Sequence, residues 1–201
     1  MQTGCNRALT AKADALRQHI RQFASAALAF SAGVDSALLA YLGAQELGDK
    51  FIALTVNSPL LLKGDLEESV HFCKTHGIQH RVLEMDILSD LNFSANDKQR
   101  CYYCKQRIFS TIRDYADRHG FEQIMDGSNS DDCPSRRPGM RVLAEQSIQS
   151  PLRECAFAKA DIRELSRGLE LSTWNKESDS CRATRIPHGT RITVASLHNV
   201  A

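Results

Sequence analysis

Apolar residues at Leu9, Ala13, Leu16, Ile20 and Phe23 recur at helical spacing and predict an amphipathic helix from Leu9 to Phe23. Ala26 to Phe30 is a continuous apolar run with no polar face, which predicts a strand buried on both sides. Ser36 to Leu47 returns to helical character, and Gly48 supplies its stop signal. The alternation repeats: a second buried strand over Phe51 to Val56, then helical spacing through Leu62, Leu66, Val70 and Cys73 up to Gly77. A third strand follows over Arg81 to Met85. Ile108, Ile112 and Tyr115 mark a helix from Cys101 to His119, and Gln123 to Met125 forms a fourth strand. Ile162, Leu165 and Leu169 mark a last helix that begins near Lys159.

Strands alternating with helices in this way build βαβ units. The expected fold class is α/β, an open parallel sheet with helices on both faces. Asp131 to Gly139 and Lys176 to Gly189 are polar and irregular, and read as loops. In such sheets ligands bind outside the carboxyl ends of the strands.

Composition narrows the function classes. The 201 residues carry 25 lysines and arginines against 24 acidic residues, a net charge of +1, which argues against a dedicated nucleic-acid binder. No apolar run approaches the roughly 18 residues of a membrane span, and no leader is evident. The expectation is a cytoplasmic protein with neither nucleic acid nor membrane as partner. Seven cysteines, an odd count in a mid-sized chain, favour free thiols, metal ligands or catalysis over a disulfide framework.

Ser31-Ala32-Gly33-Val34-Asp35-Ser36 lies between the first strand and the next helix. A tight turn at a helix start offers unpaired N–H groups and the positive end of the helix dipole. Ser31 and Ser36 add hydroxyls, and Asp35 suits a magnesium ion or its water shell. A glycine turn capped by serine and aspartate would look the same. The stretch resembles the Ser-Gly-Gly-X-Asp-Ser loop of the ATP pyrophosphatases, with Ala32 in place of a glycine. Since alanine tolerates positive φ poorly, Gly33 is expected to carry any left-handed turn. Asp126-Gly127-Ser128-Asn129-Ser130-Asp131-Asp132 resembles that superfamily's second nucleotide-side motif. Thr55 and Val56 stand where its members hold the adenine edge.

Arg100-Cys101-Tyr102-Tyr103-Cys104-Lys105 puts two thiols one helical turn apart. A zinc knuckle needs two more ligands, and no second C-x-x-C exists. A redox pair and simple packing remain open, with Arg100 and Lys105 as candidate phosphate contacts.

The most specific stretch runs from Trp174 to Pro187 and contains Cys181, with Lys176, Arg182 and Arg185 near it in sequence. Nearby cations stabilise the nucleophilic thiolate and could receive an anionic substrate; an exposed loop cysteine among surface charges is the plainer reading. Together with Ser31 to Ser36, Arg100 to Lys105, Asp126 to Asp132, Pro151-Leu152 and Lys159 to Leu165, this block resembles the ATP-dependent sacrificial sulfur transferases of the LarE type. These make the nickel-pincer nucleotide cofactor.

The resemblance implies a fold of the adenine-nucleotide α-hydrolase, PP-loop type. It also implies use of ATP with Mg2+, and a pyridinium dicarboxylate mononucleotide as substrate. Adenylation of a carboxylate would release pyrophosphate; Cys181 would then displace AMP and give up its sulfur. Arg185, Lys176, Arg100 and Lys105 are the weaker candidates for substrate or phosphate contact. A homo-oligomer is in keeping with the family. No metal ligand can be assigned.

Glu177 and Arg182 depart from the family's usual proline and apolar residue, and the chain stops twenty residues after Cys181, where relatives continue. The expected organisation is a PP-loop domain over 1–170 and a C-terminal loop and tail over 171–201. Some relatives hold an iron–sulfur cluster on several cysteines near this loop; with only Cys181 in the loop here, the sacrificial route is favoured. The alternatives are a tRNA-thiolation-like ATP pyrophosphatase and an ATP-binding module without catalysis.

Overall fold

The computed structural model describes residues 7–62, 64–133, 138–177 and 181–200. Cys5, part of the loop between Asp131 and Gly139, and Ser178 to Ser180 lie outside the described residues. Four parallel strands are laid out in the order β3-β2-β1-β4: β1 is Ala26–Ala29, β2 Phe51–Asn57, β3 His80–Glu84 and β4 Gln123–Met125. The register pairs Ala26 with Phe51 on one side and with Gln123 on the other. The chain therefore winds outward from β1 to β3 and then returns to β1's opposite edge. That reversal opens a crevice at the carboxyl ends of β1 and β4.

One face of the sheet is covered by α1 (Arg7–Arg21), α2 (Val34–Leu47) and α8 (Lys159–Gly168), whose Leu16, Ile20, Leu38, Leu39 and Ile162 join Leu28 and Phe51 in one core. α2 is buried on nearly all sides, which is why its sequence shows little polar face. It takes a glycine at position 43 because a Cβ there would fall 2.3 Å from the ring of Phe51. The other face packs Phe109, Ile112 and Ala116 of α5 (Arg100–His119) against Ala27, Leu54 and Ile124, joined by Val142 and Leu143 of α6 (Arg141–Glu145).

α3 (Asp65–Thr75) buries Ser69, Phe72 and Cys73, whereas Val70 is 44% exposed. The expected apolar stripe is thus rotated, because a one-sided contact with the sheet needs only the Phe72–Cys73 edge. Four short helices escaped the periodicity reading: α4 (Leu91–Ser94), α6, α7 (Pro151–Glu154) and α9 (Val194–Asn199). A third apolar cluster joins Met85, Ile87 and Phe93 to Ala183, Ile186, Ile192 and Leu197, so the last residues pack back beside α4 and α5. Among the described residues, no helix is long and apolar enough to cross a membrane.

Candidate functional site

A cleft of about 570 Å³ occupies the crevice at the strand ends. Ser31, Asp35 and Ser36 of the β1–α2 loop form one wall, and Asp126 to Asn129 after β4 form another. Val56, Leu61, Ile108 and Phe109 make it apolar at one side, while Lys105 and Lys159 bring the positive charges. The arrangement offers a flat apolar surface beside a polar loop at a helix start, which suits a nucleotide with its phosphates on the loop.

The loop works by alternation. Ser31, Asp35 and Ser36 face the cleft, whereas Ala32 and Val34 are buried in the core beneath it. Ser36 Oγ donates to Gly33 O at 3.1 Å, lies 3.1 Å from Ser31 Oγ and accepts from the Ser31 N–H at 3.3 Å. The left-handed residue is Ala32, with φ 54°, not Gly33, which is extended at φ −74° and ψ 160°. Gly33 precedes the first residue of α2, and that position requires extended backbone, so the reversal falls one residue earlier. No side chain caps α2, which leaves its first N–H groups to face the cleft.

Asp126 is buried and fully partnered: Oδ1 accepts from the Ser128 N–H at 3.2 Å and the Ser150 hydroxyl at 2.7 Å, and Oδ2 accepts from Ser128 Oγ at 2.6 Å. Lys105 Nζ stands 3.7 Å from it. The carboxylate thus shapes the turn after β4 and steers Lys105 into the cleft. Gly127 lets that turn approach α2, since a Cβ there would lie 3.1 Å from the Ser36 nitrogen. Val56 lines the cleft. Thr55 is turned away and buried, its hydroxyl donating to Phe30 O at 3.2 Å and pairing with His80 Nε2 at 2.9 Å.

Two site residues lie in stretches the sequence marked, but their partners appear only in the fold. Lys159, the first residue of α8, ion-pairs with Asp35, and its N–H donates to Asp131 Oδ2 at 2.8 Å. Asn129 donates to the other oxygen of Asp35 at 3.1 Å. Lys159 opens a helix, which was legible, but its partner lies 124 residues away, and that was not.

The cations near Cys181 differ from expectation. Lys176 is drawn to α3, 2.6 Å from Glu68 and 3.8 Å from Asp65. Arg185 donates to Val200 O at 2.9 Å. Arg100 does not reach the cleft; it is buried, and its Nη1 donates to Asn96 Oδ1 and, at 2.7 Å, to Ala183 O. Its guanidinium acts electrostatically on the thiol of Cys181. The Ala183 carbonyl already accepts from the Ile186 N–H at 3.2 Å, closing the single turn of 3-10 helix over Arg182–Arg185, and its second lone pair is open to the long side chain of Arg100.

Cys181 is not isolated. Arg100 draws its loop onto the first turn of α5, where Cys101 and Cys104 interact electrostatically with it. Among the described residues, Cys181 is still the only cysteine of its loop; Cys101 and Cys104 come from α5. The residue as a whole is exposed, yet desolvation of its sulfur raises the thiol's pKa; the Ala183 N–H pulls it down, Cys101 raises it, and Arg100 pulls it down. The net direction is upward, so the expected thiolate stabilisation is not realised in this conformation. Cys104 is pushed up to about 12 by burial, reinforced by Cys181 and Cys101. Among the described residues, no group of three or more His, Cys, Asp or Glu side chains is arranged to hold a metal ion.

The NAD synthase family model matches residues 8–117. The fold resembles the NH3-dependent NAD synthetase of Campylobacter jejuni, with a TM-score of 0.63 at 17% identity over 87% of this chain and 80% of that one. An uncharacterised protein of Synechocystis is 35% identical over 96% of this chain and 72% of its own length. The pyridinium-3,5-bisthiocarboxylic acid mononucleotide synthase of Lactiplantibacillus plantarum is 30% identical over 96% of this chain and 70% of its own. With that likeness across nearly all of its residues, on a fold shared with NAD synthetases, the chain belongs to the LarE-type family of PP-loop ATP pyrophosphatases.

Proposed function

We propose that this protein is an AMP-forming sulfur transferase that activates a carboxylate of a pyridinium dicarboxylate mononucleotide with ATP and passes it the sulfur of Cys181. The observation that carries this reading is the first turn of α5. Its Arg100 anchors the loop bearing Cys181, and Lys105, one turn further along the helix, lines the cleft. Adenylation and sulfur transfer thus share one structural element.

ATP lies with its adenine against Val56 and Ile108 and its phosphates on Ser31, Ser36 and the start of α2. Asp35 would be the carboxylate to meet magnesium carried on the phosphates, where the ion would supply neutralisation of their charge. A substrate carboxylate oxygen attacks the α-phosphorus; the bond to the β-phosphate breaks, and pyrophosphate leaves with the electron pair. Lys105 and Lys159 offset the charge developing on phosphate oxygen. The Cys181 thiolate then attacks the acyl carbon and AMP departs, leaving a thioester. Loss of the Cys181 Cα proton with cleavage of Cβ–S releases the thiocarboxylate and leaves dehydroalanine.

Cys101 and Cys104 interact electrostatically with Cys181, and in a second reading Cys181 keeps its sulfur while an external source supplies the atom transferred. As placed, the described side chains do not form a metal-holding group.

Peptide mass spectrometry after incubation with ATP, magnesium and the pyridinium dicarboxylate mononucleotide decides. Loss of hydrogen sulfide confined to the Cys181 peptide, with pyrophosphate released, is the expected result. An intact Cys181 with thiolated product, dependent on added iron and sulfide, selects the second reading. ATP binding without pyrophosphate overturns both.

A further inference from the structure

Asn96 lies outside every motif that pointed to the site, yet it is wholly buried and left-handed, with φ 57°. Its side chain is fully used. Nδ2 donates to Pro187 O and Thr190 O, both at 2.8 Å, and Oδ1 accepts from Arg100 Nη1. Its main-chain oxygen accepts from the Gly189 N–H at 3.0 Å and meets His188 Nδ1 at 3.3 Å. Two residues before it, Ser94 O accepts from the Ile192 N–H at 2.9 Å. One asparagine thus holds both ends of the 187–190 turn and, through Arg100, the Ala183 carbonyl two residues after Cys181.

The residue type fits this task. A left-handed position in a buried site excludes most side chains, and asparagine visits that region more readily than most. An amide supplies two donors and one acceptor in a single plane, and the site takes all three. Among its described residues the loop carries no strand or long helix, so these bonds, with the cluster around Ala183 and Ile186, fix where their backbone runs.

We infer that Asn96 is a positioning residue for the sulfur step: with Arg100 it clasps the Cys181-bearing loop against the first turn of α5, beside the cleft, while leaving the ATP half-reaction untouched. The inference rests on the reading of Cys181 as sulfur donor. Misplacing a reacting group by about 1 Å can cost on the order of a hundredfold in rate, and the clasp guards against that.

The test compares Asn96→Gly, which keeps the left-handed backbone and loses the side chain, with Asn96→Asp. The aspartate keeps the Arg100 partner and turns both loop donors into acceptors facing carbonyls. Circular dichroism checks folding. Three readouts follow: iodoacetamide labelling of the Cys181 peptide at fixed pH, pyrophosphate release with its KM for ATP, and sulfur loss from Cys181. Expected are labelling about tenfold faster than in the parent, a KM for ATP within about twofold, and sulfur loss slowed at least about tenfold.

Labelling and sulfur loss at parental rates in either folded variant overturn the inference. So does a fall in pyrophosphate release that keeps step with sulfur loss, or failure of both variants to fold, since each makes Asn96 a general structural residue. If the parent itself loses no sulfur, the sulfur-donor reading fails, and the positioning inference fails with it. The labelling rates then still show, separately, whether the clasp orders the loop.

Discussion

The Nζ of Lys159 sits 2.5 Å from the Oδ2 of Asp35, tying the start of α8 to the first turn of α2 across the mouth of the cleft. The two side chains remain 31% and 21% exposed, so solvent screens the pair and its share of stability is about 0–1 kcal/mol. Its meaning is positional. A lysine held at the phosphate end can exchange a carboxylate for a phosphate oxygen when the nucleotide arrives. Lys159→Met is expected to lower pyrophosphate release by about a hundredfold while leaving the melting temperature within a few degrees. Unchanged pyrophosphate release in this variant would remove Lys159 from the ATP site.

Gly127 has an ordinary backbone conformation, so its requirement is one of space. A Cβ would press on the Ser36 nitrogen at 3.1 Å and on Asp35 Cβ at 3.3 Å, and the nitrogen belongs to a helix that cannot yield alone. Gly127→Ala is expected to cost about 1–2 kcal/mol and to raise the KM for ATP, because it moves the β4 turn away from the phosphate loop. Urea unfolding and steady-state kinetics check the two parts separately.

The thiols differ in reactivity by environment. Cys104 and Cys73 are both pushed up to about 12 by burial, so iodoacetamide at pH 8 should leave them unlabelled in the native protein. Cys181, raised by desolvation of its sulfur, should label more slowly than a free peptide thiol and gain rate as pH climbs. The linkage has a definite sign. A folded thiol titrating near 12 against an ordinary 9.0 contributes stability below pH 9, and loses it as pH rises toward 12. Rapid labelling of Cys104 at pH 8 would contradict its burial.

The βα alternation was legible because each long element carries its own signal: a buried run such as Ala26 to Phe30 or the 3.6-residue rhythm of α5. The phosphate loop was legible because a strand, a glycine turn and a helix start are adjacent in sequence. Helices of four or five residues, such as α4 and α6, complete barely one turn and set no period. Nor could local reading find Arg100 on Ala183, 83 residues apart, or Lys176 on Glu68, 108 apart. Proximity in sequence suggested that Lys176 and Arg185 attend Cys181. Each instead found a nearer carboxylate or carbonyl in space, which is the lower-energy use of an arginine or lysine with a flexible stem.

Ala32 is the residue where the family's glycine pattern and this chain part, and the structure makes the departure quantitative. Its φ of 54° costs an alanine about 1–2 kcal/mol. Replacing it with glycine removes that strain. The same change releases about 0.4–1 kcal/mol of additional unfolded-state entropy and takes a methyl of about 0.8 kcal/mol out of a fully buried site. These effects oppose each other, so Ala32→Gly is expected to stay within about 1 kcal/mol of the parent in urea unfolding and to retain pyrophosphate release. Ala32→Val has no such compensation. A β-branched residue resists the left-handed region, and the position has no exposed surface into which two further methyl groups could turn. It should cost about 3 kcal/mol or more and take ATP turnover with it, because the same turn sets Ser31 and Ser36 against the phosphates. A valine variant as stable as the parent would show that position 32 is not left-handed, and would return the turn to Gly33.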